Sequence, residues 1–116
     1  MKKQLLALAF VSTSLYAHYA VRRVHINSQI QSKAQLFQVY AEALDFPDYC
    51  NANWDSFEEC LNDLSWLKRD DHIIVEQPEF PMLSASDLEV YLDILRRAQA
   101  ESQSSNHPIQ VVTRPK

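Results

Sequence analysis

The sequence contains no glycine. That excludes Gly-rich phosphate loops and dinucleotide fingerprints, whose backbones must approach phosphate closely. It also excludes the Gly-flanked serine elbow of the hydrolases. Turn positions that need a positive φ must then fall largely to asparagine, with Asn27, Asn51, Asn53 and Asn106 as candidates. Cysteine is nearly as scarce. The two present, Cys50 and Cys60, make neither a disulfide framework nor a CxxC motif. Cys60 therefore reads as a buried thiol and Cys50 as an incidental loop residue. The four histidines, His18, His25, His72 and His107, lie far apart with no HxxxH or HxH pair, so no metal site is expected. No cofactor motif is present, and no apolar run is long enough to span a membrane.

A local absence is more informative. Between Lys33 and Lys68 the chain has no base but seven acids: Glu42, Asp45, Asp48, Asp55, Glu58, Glu59 and Asp63. The net charge of −4 thus divides into −7 for this segment and +3 for the remainder. An acidic balance argues against direct nucleic-acid binding, which requires positive charge to displace counterions. What is present fits one globular domain: 116 residues, 47% of them apolar, are enough for a single modest core.

Residues 21–26 (VRRVHI), 72–77 (HIIVEQ) and 109–113 (IQVVT) are short and β-branched, and read as strands. Ser32-Lys33-Ala34-Gln35 fits a capping box, followed by Leu36, Phe37, Tyr40, Ala41 and Leu44 at helical spacing. Pro47 ends that element. Asn53 is a cap for the next helix, with Asp55 in its first turn, where the helix dipole favours an anion. Trp54, Phe57, Cys60, Leu61 and Leu64 form the inward stripe, and Asp55, Glu58, Glu59, Asn62 and Asp63 the other side. Like charges one turn apart, such as Asp55 with Glu59, cost a few tenths of a kcal/mol each. Selection for stability alone would more often place a lysine there. Ser86-Asp87-Leu88-Glu89 reads as a further capping box, opening a helix with Leu88, Tyr91, Leu92, Leu95 and Ala98 on its buried face. The order strand, helix, helix, strand, helix, strand requires crossovers, hence an α/β fold with a small three-stranded parallel sheet packed with helices.

Residues 24–66, VHINSQIQSKAQLFQVYAEALDFPDYCNANWDSFEECLNDLSW, resemble the barstar family of intracellular ribonuclease inhibitors. The resemblance is carried by Phe46-Pro47-Asp48-Tyr49, by Asn53-Trp54-Asp55-Ser56-Phe57, and by Glu59-Cys60-Leu61 with Leu64-Ser65-Trp66. It implies a barstar-like fold in which this loop and helix enter the active site of a basic ribonuclease, where carboxylates take the place of RNA phosphate. It further implies a partner-binding set of Tyr49, Asn51, Asp55, Glu58, Glu59, Asn62 and Asp63. Tyr49 and Asp55 match family contact positions directly, and Glu59 stands where the family has its most important acid, an Asp. Asn62 is a different polar residue at a further contact position. Glu58 and Cys50 replace aromatics, Asn51 replaces the usual Gly, and Arg97 reverses the charge of an outlying acid. These departures bear on which nuclease is bound.

The first twenty residues, MKKQLLALAFVSTSLYAHYA, admit two readings. Lys2 and Lys3, an apolar run and then small residues have the form of a secretory signal, with Ala17 at the end of a cleavage site. Alternatively, Leu5, Leu8, Leu15 and Tyr19 approximate one face of a helix. Free thiols belong in a reducing compartment, and some members of the family carry an extra helix before the first strand. The expectation is therefore an extra N-terminal helix over residues 1–20, a barstar-like domain over 21–116, and a cytoplasmic location. Export, with residues 1–17 acting as a signal peptide, is the alternative. The functional expectation is a non-enzymatic, monomeric inhibitor of a basic ribonuclease. The alternative is an interaction or immunity module of the same fold that binds a different basic protein or toxin. Acids on a convex helix, with no catalytic His or Lys at motif spacing, do not suit acid–base catalysis.

Overall fold

A computed structural model describes residues 20–113 of the chain. The expected N-terminal helix lies outside them. Three parallel strands, β1 (Val21–His25), β2 (His72–Glu76) and β3 (Ile109–Val112), form a sheet in the order β1-β2-β3. Between β1 and β2 run two helices, α1 (Lys33–Leu44) and α2 (Trp54–Asp63). Between β2 and β3 runs α3 (Ala85–Glu101), with a short 3-10 turn at Ser102–Ser104. This is the expected α/β topology, with each element within a few residues of its sequence reading.

The register places Val24 beside Val75 and Ile73 beside Ile109, so the small β-branched side chains stack in one apolar layer. Val24, Ile73, Val75 and Ile109 are buried, whereas Val21, Arg23, His25 and Gln110 are exposed. This alternation identifies a parallel sheet with its helices on one face. Strands laid down in chain order and joined by right-handed crossovers send every helix to the same side. Leu36, Phe37, Tyr40 and Leu44 of α1, Phe57 and Leu61 of α2, and Tyr91, Ile94, Leu95 and Ala98 of α3 complete the core.

The helix starts follow side-chain chemistry. Ser32 Oγ accepts from the Gln35 amide (3.1 Å), and the Gln35 side chain accepts in return from the Gln31 amide (2.6 Å), one residue earlier than a strict capping box. The cap of α3 departs from the sequence expectation: Ser84, not Ser86, accepts from the Asp87 amide (3.2 Å), and Ser86 falls inside the first turn. Both serines precede an acid, but the extended chain after Pro81 reaches Ser84 in β conformation and the helix begins directly after it. The buried face of α3 also differs from the expectation. Ile94 is buried, while Leu88 and Leu92 are half-buried.

The expected asparagines do not carry the positive-φ positions. Among the described residues Asp45 (φ 54°) and Leu64 (φ 50°) do so, at the C-caps of α1 and α2. Helix termination is what demands the left-handed conformation here. The Asp45 amide reaches back to the Ala41 carbonyl and the Leu64 amide to that of Cys60. A leucine in this region costs about 1–2 kcal/mol. Leu64 is itself buried at the junction, so its packing offsets the backbone.

Candidate partner-binding face

The loop from Phe46 to Asn53 leaves α1 and returns the chain to the start of α2. Half-buried Phe46 packs against Phe57 (6.4 Å between centroids) and Trp66 (5.7 Å). Asn53 caps α2, its Oδ1 accepting from the Ser56 amide (2.8 Å), while Ser56 Oγ accepts from the Asn51 amide (2.7 Å). These two bonds satisfy amides at the turn into the helix and fix the direction in which α2 leaves the loop. Phe57, Cys60, Leu61 and Leu64 then face the core. Tyr49, Asn51, Asp55, Glu59, Asn62 and Asp63 are exposed and Glu58 is half-buried. The seven residues singled out from the sequence therefore lie together on the outer side of one loop and helix. Asp55 and Glu59 are one turn apart, about 6 Å along the axis.

Tyr49 is 64% exposed, an unusual state for a large aromatic ring. Its position is supported from behind by the edge of Trp66, 6.3 Å away between centroids. Trp66 in turn donates its indole N–H to the Leu44 carbonyl (2.9 Å). Trp66 thus backs the exposed Tyr49 ring and is itself fixed to the end of α1. The sequence contained it only as the end of the Leu-Ser-Trp motif.

Two arginines from outside the acidic segment form ion pairs with its acids, which the base-free segment alone did not suggest. Arg97 of α3 donates to Glu58 Oε2 from Nη2 (2.7 Å) and pairs with Asp93. The hydrogen bond to Glu58, ahead of the charge of Asp93, raises the Arg97 pKa above its ordinary value. Arg22 of β1 donates to Asp45 (2.9 Å) and, through Nε, to buried Asp71 (2.6 Å). The bond to Asp71 is the main cause of its raised pKa. Asp48, Asp55, Glu59 and Asp63 make no ion pair with any described residue. The face is therefore acidic at its centre and compensated at its two edges.

The cysteines overturn the free-thiol expectation. Cys50 and Cys60 are joined by a disulfide, with their Cα atoms 6.3 Å apart. Ten residues of separation gave no sign of this, because proximity depends on the loop folding back along α2. Cys60 sits on the buried stripe at the edge nearest that loop, and the reversal at Pro47, where the Cys50 amide donates to the Pro47 carbonyl (3.0 Å), sets Cys50 against it.

A concavity of about 550 Å³ lies at the C-terminal end of α2, lined by Asp63, Glu101, Ser102, Ser105 and His107 among others. Its Ser102, Ser105 and His107 side chains are engaged in holding the chain. Ser102 Oγ accepts from the Ile109 amide (2.8 Å), and Ser105 Oγ donates to the Ser102 carbonyl (2.8 Å). The His107 Nδ1–H donates to the Asp71 carbonyl (3.0 Å). No Ser–His hydrogen bond of a nucleophilic pair is formed there. Among the described residues no group of three or more His, Cys, Asp or Glu could hold a metal ion. No helix of the described residues is long and apolar enough to cross a membrane.

Comparison with known families gives one match. A family model described as "Barstar (barnase inhibitor)" aligns with residues 21–114 and covers the whole sheet and all three helices. No curated protein matches the chain.

Proposed function

Because the chain belongs to the barstar family, we propose that it is a protein inhibitor that binds a basic ribonuclease and covers its active site. Tyr49, Asn51, Asp55, Glu58, Glu59, Asn62 and Asp63 form the contact face. The observation that carries this reading is the set of carboxylates, Asp55, Glu59 and Asp63, that make no ion pair with any described residue and are exposed along one rigid helix beside exposed Tyr49. A ribonuclease binds an RNA backbone with cations, and carboxylates at fixed spacing complement those cations without presenting a cleavable bond. Complementary charge also accelerates encounter and suppresses wrong partners, as measured for the barnase–barstar pair. The exposed tyrosine supplies rigid contact area of the kind enriched in interface cores. No step of catalysis is assigned to this chain.

A second reading, a module directed at another basic protein or toxin, is favoured by Arg97. Its guanidinium borders the acidic face and occupies Glu58, so a partner with a cation opposite that edge is repelled. Titrating RNA cleavage by a basic ribonuclease of the barnase type with the purified protein separates the two readings. Loss of cleavage at one inhibitor per enzyme is expected. Uninhibited cleavage, with capture of a different basic protein, selects the second reading.

For the location, the disulfide removes the free-thiol ground for a cytoplasmic protein and favours export, with residues 1–17 acting as a signal. Fractionation of native cells tests this. Recovery of the full-length chain from the cytosol with both thiols reduced would reverse it.

A further inference from the structure

We propose that the Cys50–Cys60 disulfide is the device that holds the Tyr49 loop in its partner-binding conformation, so that the oxidised protein is the tight-binding form. This rests on the binding face proposed above. The bridge joins the neighbours of three contact residues: Cys50 lies between Tyr49 and Asn51, and Cys60 follows Glu59. One covalent link therefore sets the position of the exposed ring relative to the central carboxylate.

Little else secures the loop. From Asp48 to Asn53 only Cys50 is even half-buried, and the other five residues are exposed. The Cys50 and Asn53 amides bond within the loop, to the carbonyls of Pro47 and Asn51. Apart from Asn53, which is held at its end by capping α2, its connections to the other described residues are the Asn51 amide on Ser56 Oγ and the edge contact of Tyr49 with Trp66, both at the surface. A loop with so few buried contacts samples many conformations once its covalent tie is cut, and binding must then order it again. On the α2 side the anchor is firm, because Cys60 is 4% exposed within the core stripe. The chain has no third cysteine, so the bridge has no other thiol of its own chain with which to exchange. Reduction by a dithiol delivers two electrons and two protons, leaving two protein thiols and a cyclic disulfide of the reductant. Such a surface suits a partner met in an oxidising compartment.

The experiment compares the full-length oxidised protein with the same protein in excess dithiothreitol and with Cys50→Ser. It follows amide hydrogen exchange and the dissociation rate from a basic ribonuclease of the barnase type. In the two open forms, exchange at residues 48–53 should rise at least tenfold while β2 and α3 stay protected, and dissociation should quicken at least tenfold. Unchanged loop exchange overturns the proposal. So does exchange that rises equally in β2 and α3, since the bridge is then a global staple. Faster loop exchange with unaltered dissociation overturns it as well. If the ribonuclease binds neither form, the inhibitor reading fails, and the exchange measurement still decides whether the bridge orders the loop.

Discussion

At the scale of single residues, the core is organised by a polar chain inside it. Tyr91 donates its hydroxyl hydrogen to Gln77 Oε1 (2.9 Å), which leaves the Tyr40 hydroxyl, 2.7 Å away, to donate to the Tyr91 oxygen. All three residues are buried. Removing the middle hydroxyl strands both the Tyr40 donor and the Gln77 acceptor, whereas removing the first leaves the Tyr91 hydroxyl still bonded to Gln77. Tyr91→Phe should therefore cost about 2–4 kcal/mol and Tyr40→Phe about 1 kcal/mol, read from denaturant midpoints. Burial, the largest cause for each, raises both phenol pKa values above the ordinary tyrosine range. The unfolded chain then loses these protons near pH 10 while the folded chain keeps them. Stability from this pair is complete below about pH 10 and declines as pH rises beyond it. Tyrosinate absorbance for the pair should appear together with unfolding. A Tyr40→Phe protein whose alkaline unfolding is unshifted from wild type would count against this account. Glu59 stands at the opposite extreme, since it is exposed and forms no ion pair with any described residue.

At the scale of elements, α2 is a short helix with a buried apolar face and an exposed acidic one. Its ten residues are too few for stability in isolation, so caps and packing sustain it. Asn53→Ala should cost about 1 kcal/mol by freeing the Ser56 amide. Asp55→Ala and Glu59→Ala should each stay within about 0.5 kcal/mol of wild-type stability, because both are exposed and unpaired. Their binding to the cognate basic partner should weaken by about 2–5 kcal/mol if the charges become buried and paired there. Calorimetric melting beside surface-bound affinity measurement checks both halves; loss of melting temperature in step with affinity would make the face structural. The loop preceding α2 adds a covalent tie.

At the scale of the whole molecule, the chain separates its charges in space as well as in sequence. Asp48, Asp55, Glu59 and Asp63 face solvent at one side, while Arg22 and Arg97 occupy the margins. A field of this kind acts over roughly the Debye length, about 10 Å at 0.1 M salt. Association with a basic partner should slow markedly as salt rises, while dissociation, governed by contacts such as Tyr49, should change less. Asp48→Lys should lower the on-rate and flatten that dependence. Arg97→Ala should instead raise the on-rate, since it uncovers Glu58. Stopped-flow mixing from low to high salt tests both variants; an association rate indifferent to salt would show that the acids do not steer.

The sequence by itself determined the elements and their order. Periodicity, Asn53 before an apolar stripe, and Pro47 after another are local properties, and local properties survive in any fold that keeps the chain connected. It also determined which side of α2 carries the acids, because a helix with a single apolar stripe has one place for everything else. Capping depended on detail: Ser84 and Ser86 are equally good caps, and only the path of the chain after Pro81 chose between them. The left-handed positions at Asp45 and Leu64 were decided by where α1 and α2 had to stop. The Cys50–Cys60 bridge, the support of Tyr49 by Trp66, and the pairing of Glu58 with Arg97 join residues 10, 17 and 39 positions apart. No spacing rule connects such pairs. They are set by how α3 and the loop before α2 pack around the same core, and that packing is a property of the tertiary structure alone.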